Sequence, residues 1–227
     1  MINERPIPFH AFALLFVIAG ATDALIYLHS RELLAVYMTG NSSHIGRAIG
    51  QGHWATIAPL AAVIGTFFVA TTLAAWLGQR AGRWRATLIL LLSGTLMALA
   101  VPFTTAGSYS LMTVAMIAAA MGSLNQVSSR VIGVTFLTGM IVQTGRSLAQ
   151  GEWLAGLDGL ARWAALIGGA VLATLLDSRY GELALLFVAG ALAAGAPFTA
   201  WNAHLAGAGD PQREQADRRE SRSGSGY

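Results

Sequence analysis

The chain has 227 residues, of which 55% are hydrophobic and only 11% are charged, well below the roughly 25% charged that is usual for soluble domains. It has no cysteine, which excludes disulfides, cysteine-ligated zinc and thiol nucleophiles. The formal net charge of +3 does not indicate a nucleic-acid partner, because the arginines lie at the ends of apolar segments and form no single basic face. The composition therefore predicts a lipid bilayer as the surroundings of the chain.

Six apolar stretches have the length of roughly twenty residues that crosses the hydrocarbon core of a bilayer. Five of the six tryptophans fall at the ends of these stretches, as interfacial anchors do. The sequence therefore predicts an all-α polytopic membrane protein with six transmembrane helices. The predicted spans are Phe9 to Leu28, Ala55 to Leu77, Ala86 to Thr105, Tyr109 to Gln126, Leu157 to Leu176 and Leu183 to Trp201.

Two segments of the chain resemble each other. Residues 38–54 align without a gap on residues 137–153, ninety-nine positions later, and seven of the seventeen aligned pairs are identical. A second echo, Gly20 to Asp23 against Gly122 to Asn125, lies upstream of each copy. A repeated glycine-rich interruption between apolar segments predicts a duplicated membrane unit with a site near the middle of the bilayer.

The duplication divides the chain into three parts. Residues 1–106 are predicted to form the first membrane repeat, residues 107–204 the second, and residues 205–227 a disordered polar tail. Three spans in each copy would turn the second repeat upside down relative to the first. The expected architecture is therefore a pair of inverted repeats.

One segment in each repeat has an ambiguous path. Arg31 to Gln51 and Arg130 to Gln150 both begin apolar and turn polar after Thr-Gly, so each could span the membrane or enter and return. The excess of arginine on the cytoplasmic side favours re-entrant segments, with ten arginines inside and three outside. This arbitration depends on the four tail arginines. It places both chain termini in the cytoplasm.

A family resemblance rests on the runs Ala19 to Ala24 and Tyr37 to Asn41. Gly-x-x-Asp in the first span followed by Met-Thr-Gly-Asn resembles the YoaK-type small integral membrane proteins, a bacterial family catalogued as a domain of unknown function. The resemblance covers nearly the whole chain apart from the tail, although Met140 stands where a second copy of the motif would have asparagine. It implies a six-span protein of the bacterial inner membrane, and it implies no substrate.

Asp23 is the first candidate for a functional residue, because it lies about fifteen residues into its span. A carboxylate inside a membrane costs roughly 2.5–3.5 kcal/mol on insertion scales unless it is paired, protonated or beside a wet cavity. It would bind a proton or a cation on a transport path, with the neutral Asn125 as its counterpart. The alternative is a helix-break cap or an interhelical hydrogen bond.

The Thr-Gly motifs are the second candidate. Thr39, Gly40 and Asn41 predict a helix interruption, because glycine tolerates unusual backbone angles and Thr and Asn can cap the freed amides. Thr138 and Gly139 repeat the pattern in the second copy. An interrupted helix would present backbone dipoles to a solute, whereas the competing interpretation of these small residues is helix packing.

Charged and histidine side chains complete the candidates. Asp158 and Arg162, spaced i and i+4, predict an ion pair near the start of the fifth span. A further hypothesis is that Arg162 helps to gate a solute path. Arg47 and Arg146 match across the copies and are expected to reach lipid headgroups. The five histidines show no ligand spacing, so we expect no metal site and no cofactor.

These observations leave three functional hypotheses. The leading one is a secondary transporter for a small polar or ionic solute, whose site lies between the repeats with Asp23 handling charge. The alternative is a non-catalytic scaffold or partner-binding protein in which Gly46 and Gly50 serve packing or homo-oligomer formation. The weakest is an intramembrane enzyme using Asp23 with His44, because no catalytic motif is recognisable and no catalytic residue is predicted.

Overall fold

The computed structural model describes residues 9–30, 33–105, 107–128 and 136–208, without the side chains of residues 9–12 and 206–208. Within these ranges the chain forms eight α-helices and one short β-hairpin, so the predicted all-α class is confirmed. The helices are α1 (Phe9–His29), α2 (Met38–Gln51), α3 (Ile57–Ala81), α4 (Arg85–Ala100), α5 (Leu111–Leu124), α6 (Leu137–Ala149), α7 (Trp153–Tyr180) and α8 (Ala184–Ala208). The hairpin strands are β1 (Thr104–Thr105) and β2 (Ser108–Tyr109).

Each of the six predicted apolar stretches coincides largely with one helix, namely α1, α3, α4, α5, α7 and α8. By length and composition, two continuous helical stretches in the described chain, Trp54–Phe103 and Trp153–Leu205, are long and apolar enough to cross a membrane. The first stretch contains α3 and α4, and the second contains α7 and α8. Ala13–His29 and Leu111–Leu124 are apolar but shorter.

The chain reverses direction inside both long stretches. Gly82 and Gly181 adopt positive φ values of +54° and +56°, which glycine enters without steric cost. On either side of the first turn, Thr71 of α3 and Ser93 of α4 donate hydrogen bonds to the end of α5, at the carbonyls of Gly122 and Ala120. Residues equally distant from Gly82 therefore lie at one level of the bundle, and α3 and α4 run antiparallel.

The main helix contacts join the first half of the chain to the second. α1 packs most extensively against α7, and α3 against α5. α4 runs antiparallel to α8, because Thr87 meets Thr199 at one end (3.0 Å between hydroxyls) and Thr104 meets Glu182 at the other (3.0 Å). Neither half therefore folds around a core of its own.

Glycine brings the interlocked helices into backbone contact. A Cβ added at Gly20 of α1 would collide with the carbonyl of Leu166 in α7, and one added at Gly169 of α7 would collide with the carbonyl of Val17. A Cβ at Gly122 of α5 would lie 2.7 Å from a carbonyl oxygen of α3. Only residues without side chains permit such close crossings.

The interior contains small and polar residues beside the apolar core, whereas large apolar side chains cover the outside. Thr22 and Ser93 are fully buried, and each donates a hydrogen bond to a backbone carbonyl. Phe68, Leu154 and Leu175 are 69%, 86% and 60% exposed. The surface is therefore unusually apolar for a protein in water.

The two Thr-Gly motifs differ from the expectation that they interrupt a helix. α2 begins at Met38 and α6 at Leu137, so each Thr-Gly pair lies in a first helical turn, after the irregular residues. The physical reason is packing: a Cβ added at Gly40 would lie 3.0 Å from Leu34 and 3.6 Å from Tyr37, and one added at Gly139 would collide with the ring of Phe136. The predicted starts at residues 31 and 130 lie outside the described residues.

Two predicted boundaries can be compared with the fold. The boundary between residues 106 and 107 falls between β1 and β2. The second repeat was predicted to end at residue 204, but α8 continues to Ala208 because Leu205 and the alanines after it favour helix. Residues 209–227 of the predicted tail lie outside the described residues.

Substituting adjacent glycines of α7 tests the backbone contact. We expect Gly169→Ala to lower the free energy of unfolding by about 1–3 kcal/mol, because the new methyl group overlaps the carbonyl of Val17. Gly168→Ala is the matched control: an added Cβ there meets nothing within 4 Å, so the change should stay within about 0.5 kcal/mol. Unfolding titrations of the two purified variants would measure the difference, and equal stabilities would contradict the close crossing.

Candidate functional site

Asp23 lies in α1, one turn from the crossing with α7. The hydroxyl of Tyr37, which belongs to the irregular residues before α2, lies near the Asp23 carboxylate. The Oδ1 atom is buried and has no hydrogen-bond partner among the described residues. A buried acceptor without a partner carries a desolvation cost of about 1–3 kcal/mol, more when it is charged. This carboxylate is thus only partly satisfied by the protein.

Tyr37 presents its hydroxyl to Asp23. Partial burial raises the pKa of Tyr37, and the nearby Asp23 carboxylate raises it further, to about 12. The hydroxyl therefore stays protonated near neutral pH and can donate to the carboxylate. The side chain of Tyr37, which is 45% exposed, joins an irregular segment to the middle of a long helix.

Asn41 holds that irregular segment in place. The side chain is fully buried, and its amide donates to the carbonyl of Leu34 (2.6 Å) while its Oδ1 accepts from the Leu34 N–H (3.1 Å). Both ends of the amide are thereby used within the protein. Asn41 acts on the site by positioning the segment that carries Tyr37.

The second half of the chain lacks this polar pair. Asn125 is the residue that ends α5, and its side chain donates to the Met121 carbonyl (3.0 Å). Phe136 stands at the position equivalent to Tyr37, so no hydroxyl is available there. Thr138 is exposed at the start of α6. Equivalent positions of the two halves therefore carry different side chains: an acid and a hydroxyl in the first half, an amide and a phenyl ring in the second.

The two Thr-Gly helices lie at opposite ends of the bundle. α2 packs against α3, and α6 packs against α7. His29 at the end of α1 binds Asp177 near the end of α7, so these two helices are parallel and the start of α7 lies far from α2. The structure thus brings Asp23, Gly40 and Asn41 to one region and does not bring Thr138 and Gly139 to it. Thr39 is exposed beside that region.

A cavity of about 740 Å³ lies at the end of the bundle where α1 ends and α3 begins. Its polar lining comes mainly from α2 and the turn after it, which contribute His44, Arg47 and His53. His29 closes it from α1 and Tyr109 from β2. Asp23 is not among the lining residues, so this cavity and the buried acid are separate features.

Sequence reasoning missed the cluster around His29. Its Nε2 lies 2.7 Å from Asp177 Oδ1, and its ring stacks on Tyr109 with centroids 4.8 Å apart. The hydroxyl of Tyr109 is buried and has no hydrogen-bond partner among the described residues. His29 and Asp177 are 148 positions apart, and no local pattern could have indicated that they meet.

The remaining candidates lie outside both regions. Arg162 and Asp158 form an i,i+4 ion pair in α7, with side chains 22% and 33% exposed. Gly46 and Gly50 pack against no other part of the described chain, because an added Cβ at either would meet no atom within 4 Å. Those two glycines therefore leave an open surface on α2.

The described residues contain no cluster of three or more His, Cys, Asp or Glu side chains that could hold a metal ion. Hydrogen bonds among them include none between Asp23 and His44, the pair that the enzyme hypothesis requires. The arrangement can offer a solute one partly satisfied carboxylate inside the bundle and a basic cavity at its end.

Comparison with known proteins gives one match. Residues 11–197, which run from α1 into α8, match the family described as "Protein of unknown function (DUF1275)". No curated protein matches the chain, and no solved structure does.

Removing the Asn41 side chain tests its structural role. We expect Asn41→Ala to destabilise the protein by about 1–3 kcal/mol for each backbone group of Leu34 that stays buried without a partner. Ser42→Ala is the control, because Ser42 is exposed one position further along the same helix. Thermal unfolding should separate the two variants, and limited proteolysis should cleave the Asn41 variant faster near residues 33–37. Indistinguishable variants would remove Asn41 from this role.

Proposed function

Because the chain belongs to the DUF1275 family, whose description names no activity, we propose a function from its own residues: a secondary transporter for a small polar or ionic solute, with Asp23 at the site. The observation that carries this proposal is the buried Oδ1 atom of Asp23, which has no hydrogen-bond partner in the described chain. An acid kept in this state inside an apolar bundle is costly. Binding a proton, a cation or a polar solute would offset the cost. The narrower resemblance to YoaK-type proteins stays a prediction.

The apolar surface supports a location in the membrane. Large apolar side chains project outward along α3 and α7, and burying that surface in lipid removes it from water. Exposed tryptophans near the helix ends match the aromatic belts of membrane proteins. They are Trp54, Trp76, Trp84, Trp153 and Trp201. We infer six spans formed by α1, α3, α4, α5, α7 and α8, with α2 and α6 as the re-entrant helices.

Equivalent contacts support two inverted repeats. Gly20 of α1 touches the carbonyl of Leu166, and Gly122 of α5 touches the carbonyl of Phe67. Gly20 and Gly122 are the glycines of the upstream sequence echo, and Phe67 and Leu166 are ninety-nine positions apart, the spacing of the downstream echo. The first-half glycine therefore contacts the second-half carbonyl, and the second-half glycine contacts the equivalent first-half carbonyl. Two inverted repeats that pack against each other would make this reciprocal pair of contacts.

The distribution of arginine supports an orientation. Arg80, Arg83 and Arg85 lie at the turn between α3 and α4, the end at which both α1 begins and α8 ends. Arg47 and Arg179 lie at the cavity end. Because positive charge favours the cytoplasmic side, we infer cytoplasmic termini, a bacterial inner membrane as the location and a cavity that opens outward.

The proximity of Tyr37 to Asp23 suggests how the site would work. Tyr37 reaches Asp23 from irregular backbone, which shifts more easily than a helix. Moving residues 33–37 away would leave the carboxylate without its donor and open it to the solute. Returning them would close the site again. Gating would then be a local change beside a rigid helix pair.

A second candidate function is a scaffold or partner-binding protein that forms a homo-oligomer. One observation favours it: Gly46 and Gly50 are exposed on α2 and contact nothing in the described chain. Gly-x-x-x-Gly surfaces let helices of separate chains approach closely. Under this alternative, alanine at both positions would change the oligomeric state while Asp23→Asn would leave function intact.

Transport in proteoliposomes tests the leading proposal. Purified protein would be reconstituted, and uptake of a panel of labelled small ions and polar solutes would be measured with and without a pH gradient. We expect Asp23→Asn to lower uptake of the carried solute at least about tenfold, because the amide keeps the shape and loses the charge. Tyr37→Phe should lower it less, since the carboxylate remains.

Glu152→Gln is the matched control for this assay. It also neutralises a carboxylate, but at the start of α7 and in contact with Ser147 rather than with the site. It should retain wild-type uptake. A solute carried equally by wild type and Asp23→Asn at every pH would remove Asp23 from the mechanism.

A further inference from the structure

The cavity at the end of α1 has a basic lining. Of its described lining residues, Arg47 is the one with a permanent charge, and His29, His44 and His53 are the other basic residues. The described lining residues include no aspartate or glutamate. We propose that this cavity binds a small oxyanion, a carboxylate or a phosphate group, with Arg47 as its charged partner.

Hydrogen-bond donors support the same chemistry. The guanidinium of Arg47 presents five N–H donors in a planar fork that matches the oxygens of a carboxylate or phosphate. Gln51 lies one turn after Arg47 on the same helix and also lines the cavity. Its side-chain amide is a neutral donor that could bind another oxygen of the same anion.

The nearest carboxylates limit where the anion can lie. Asp177 is hydrogen-bonded to the lining residue His29 at 2.7 Å, and Glu182 accepts a hydrogen bond from Thr104. Both carboxylates are close to Tyr109, so the His29 and Tyr109 side of the cavity is unfavourable for an anion. We therefore place the anion nearest to Arg47, His44 and Gln51 on α2.

The repeat provides a built-in comparison. Arg146 occupies the position equivalent to Arg47, ninety-nine residues later, and is exposed at the opposite end of the bundle without lining this cavity. The two arginines therefore share their sequence context and differ in their surroundings. An effect confined to Arg47 would reflect the cavity and not the charge of the protein as a whole.

The inference goes beyond the transport proposal, because binding at Arg47 requires neither Asp23 nor movement of a solute. Two sources could supply the oxyanion, a soluble molecule or the phosphate of an anionic lipid headgroup. The chemistry of recognition is the same for both. The experiment separates them.

Calorimetric titration of the full chain in a neutral detergent, with inorganic phosphate as the probe, tests the site. We expect saturable binding that Arg47→Gln weakens at least about tenfold, whereas Arg146→Gln leaves it unchanged. His44→Gln is a second variant from the lining, with a smaller expected loss, should Arg47→Gln fail to fold.

Repeating the titration in nanodiscs identifies the source. Weaker phosphate binding in discs with phosphatidylglycerol than in pure phosphatidylcholine discs would show that a lipid headgroup occupies the site. Equal affinity would assign it to a soluble anion, and both results support the oxyanion site. Absence of phosphate binding by wild type, or equal affinities for wild type and Arg47→Gln, would overturn it. Asp23→Asn should bind phosphate normally, so failure of this inference and failure of the transport proposal are distinguishable.

Discussion

Backbone contact between α1 and α7 is the constraint on which the rest of the structure depends. Gly20 and Gly169 each meet a carbonyl of the opposite helix, and no larger residue fits at either position. This crossing ties the first helix of the chain to the next-to-last one, and α5 and α3 are tied in the same way through Gly122. Because both ties join different halves of the chain, the eight helices form one body.

The position of Asp23 follows from that crossing. The carboxylate lies one turn beyond Gly20, so the close approach of α7 keeps it inside the bundle. Its one described partner comes from an irregular segment that Asn41 holds by two hydrogen bonds to Leu34. A rigid helix pair therefore carries the acid, and a separately anchored segment carries its donor. This division allows the surroundings of the acid to change without unpacking the bundle.

The symmetry of the helices contrasts with the asymmetry of the chemistry. Equivalent glycines make equivalent contacts, but Asp23 and Tyr37 in the first half correspond to Asn125 and Phe136 in the second. In the same way, Arg47 lines a cavity with His44 and His53, whereas Arg146 does not. We infer that the repeats share a scaffold and that the first half carries the polar groups available to a ligand. α2 and α6 lie at opposite ends of the bundle, and the hydroxyl near Asp23 comes from the segment before α2.

The sequence by itself determined the helices of this protein, because apolar runs of spanning length and glycine at turns are local properties. All six apolar stretches are helical, and the sequence echoes identified glycines that prove to be contact positions. Asp23 also stood out locally, as an acid among apolar residues. The tertiary structure alone decided which groups meet: Tyr37 with Asp23 across a loop, His29 with Asp177 across 148 positions, and Arg47 with a cavity that no motif marks. Such pairings depend on how helices cross, and the crossing angle and register are set by side-chain packing between elements that are distant in the sequence.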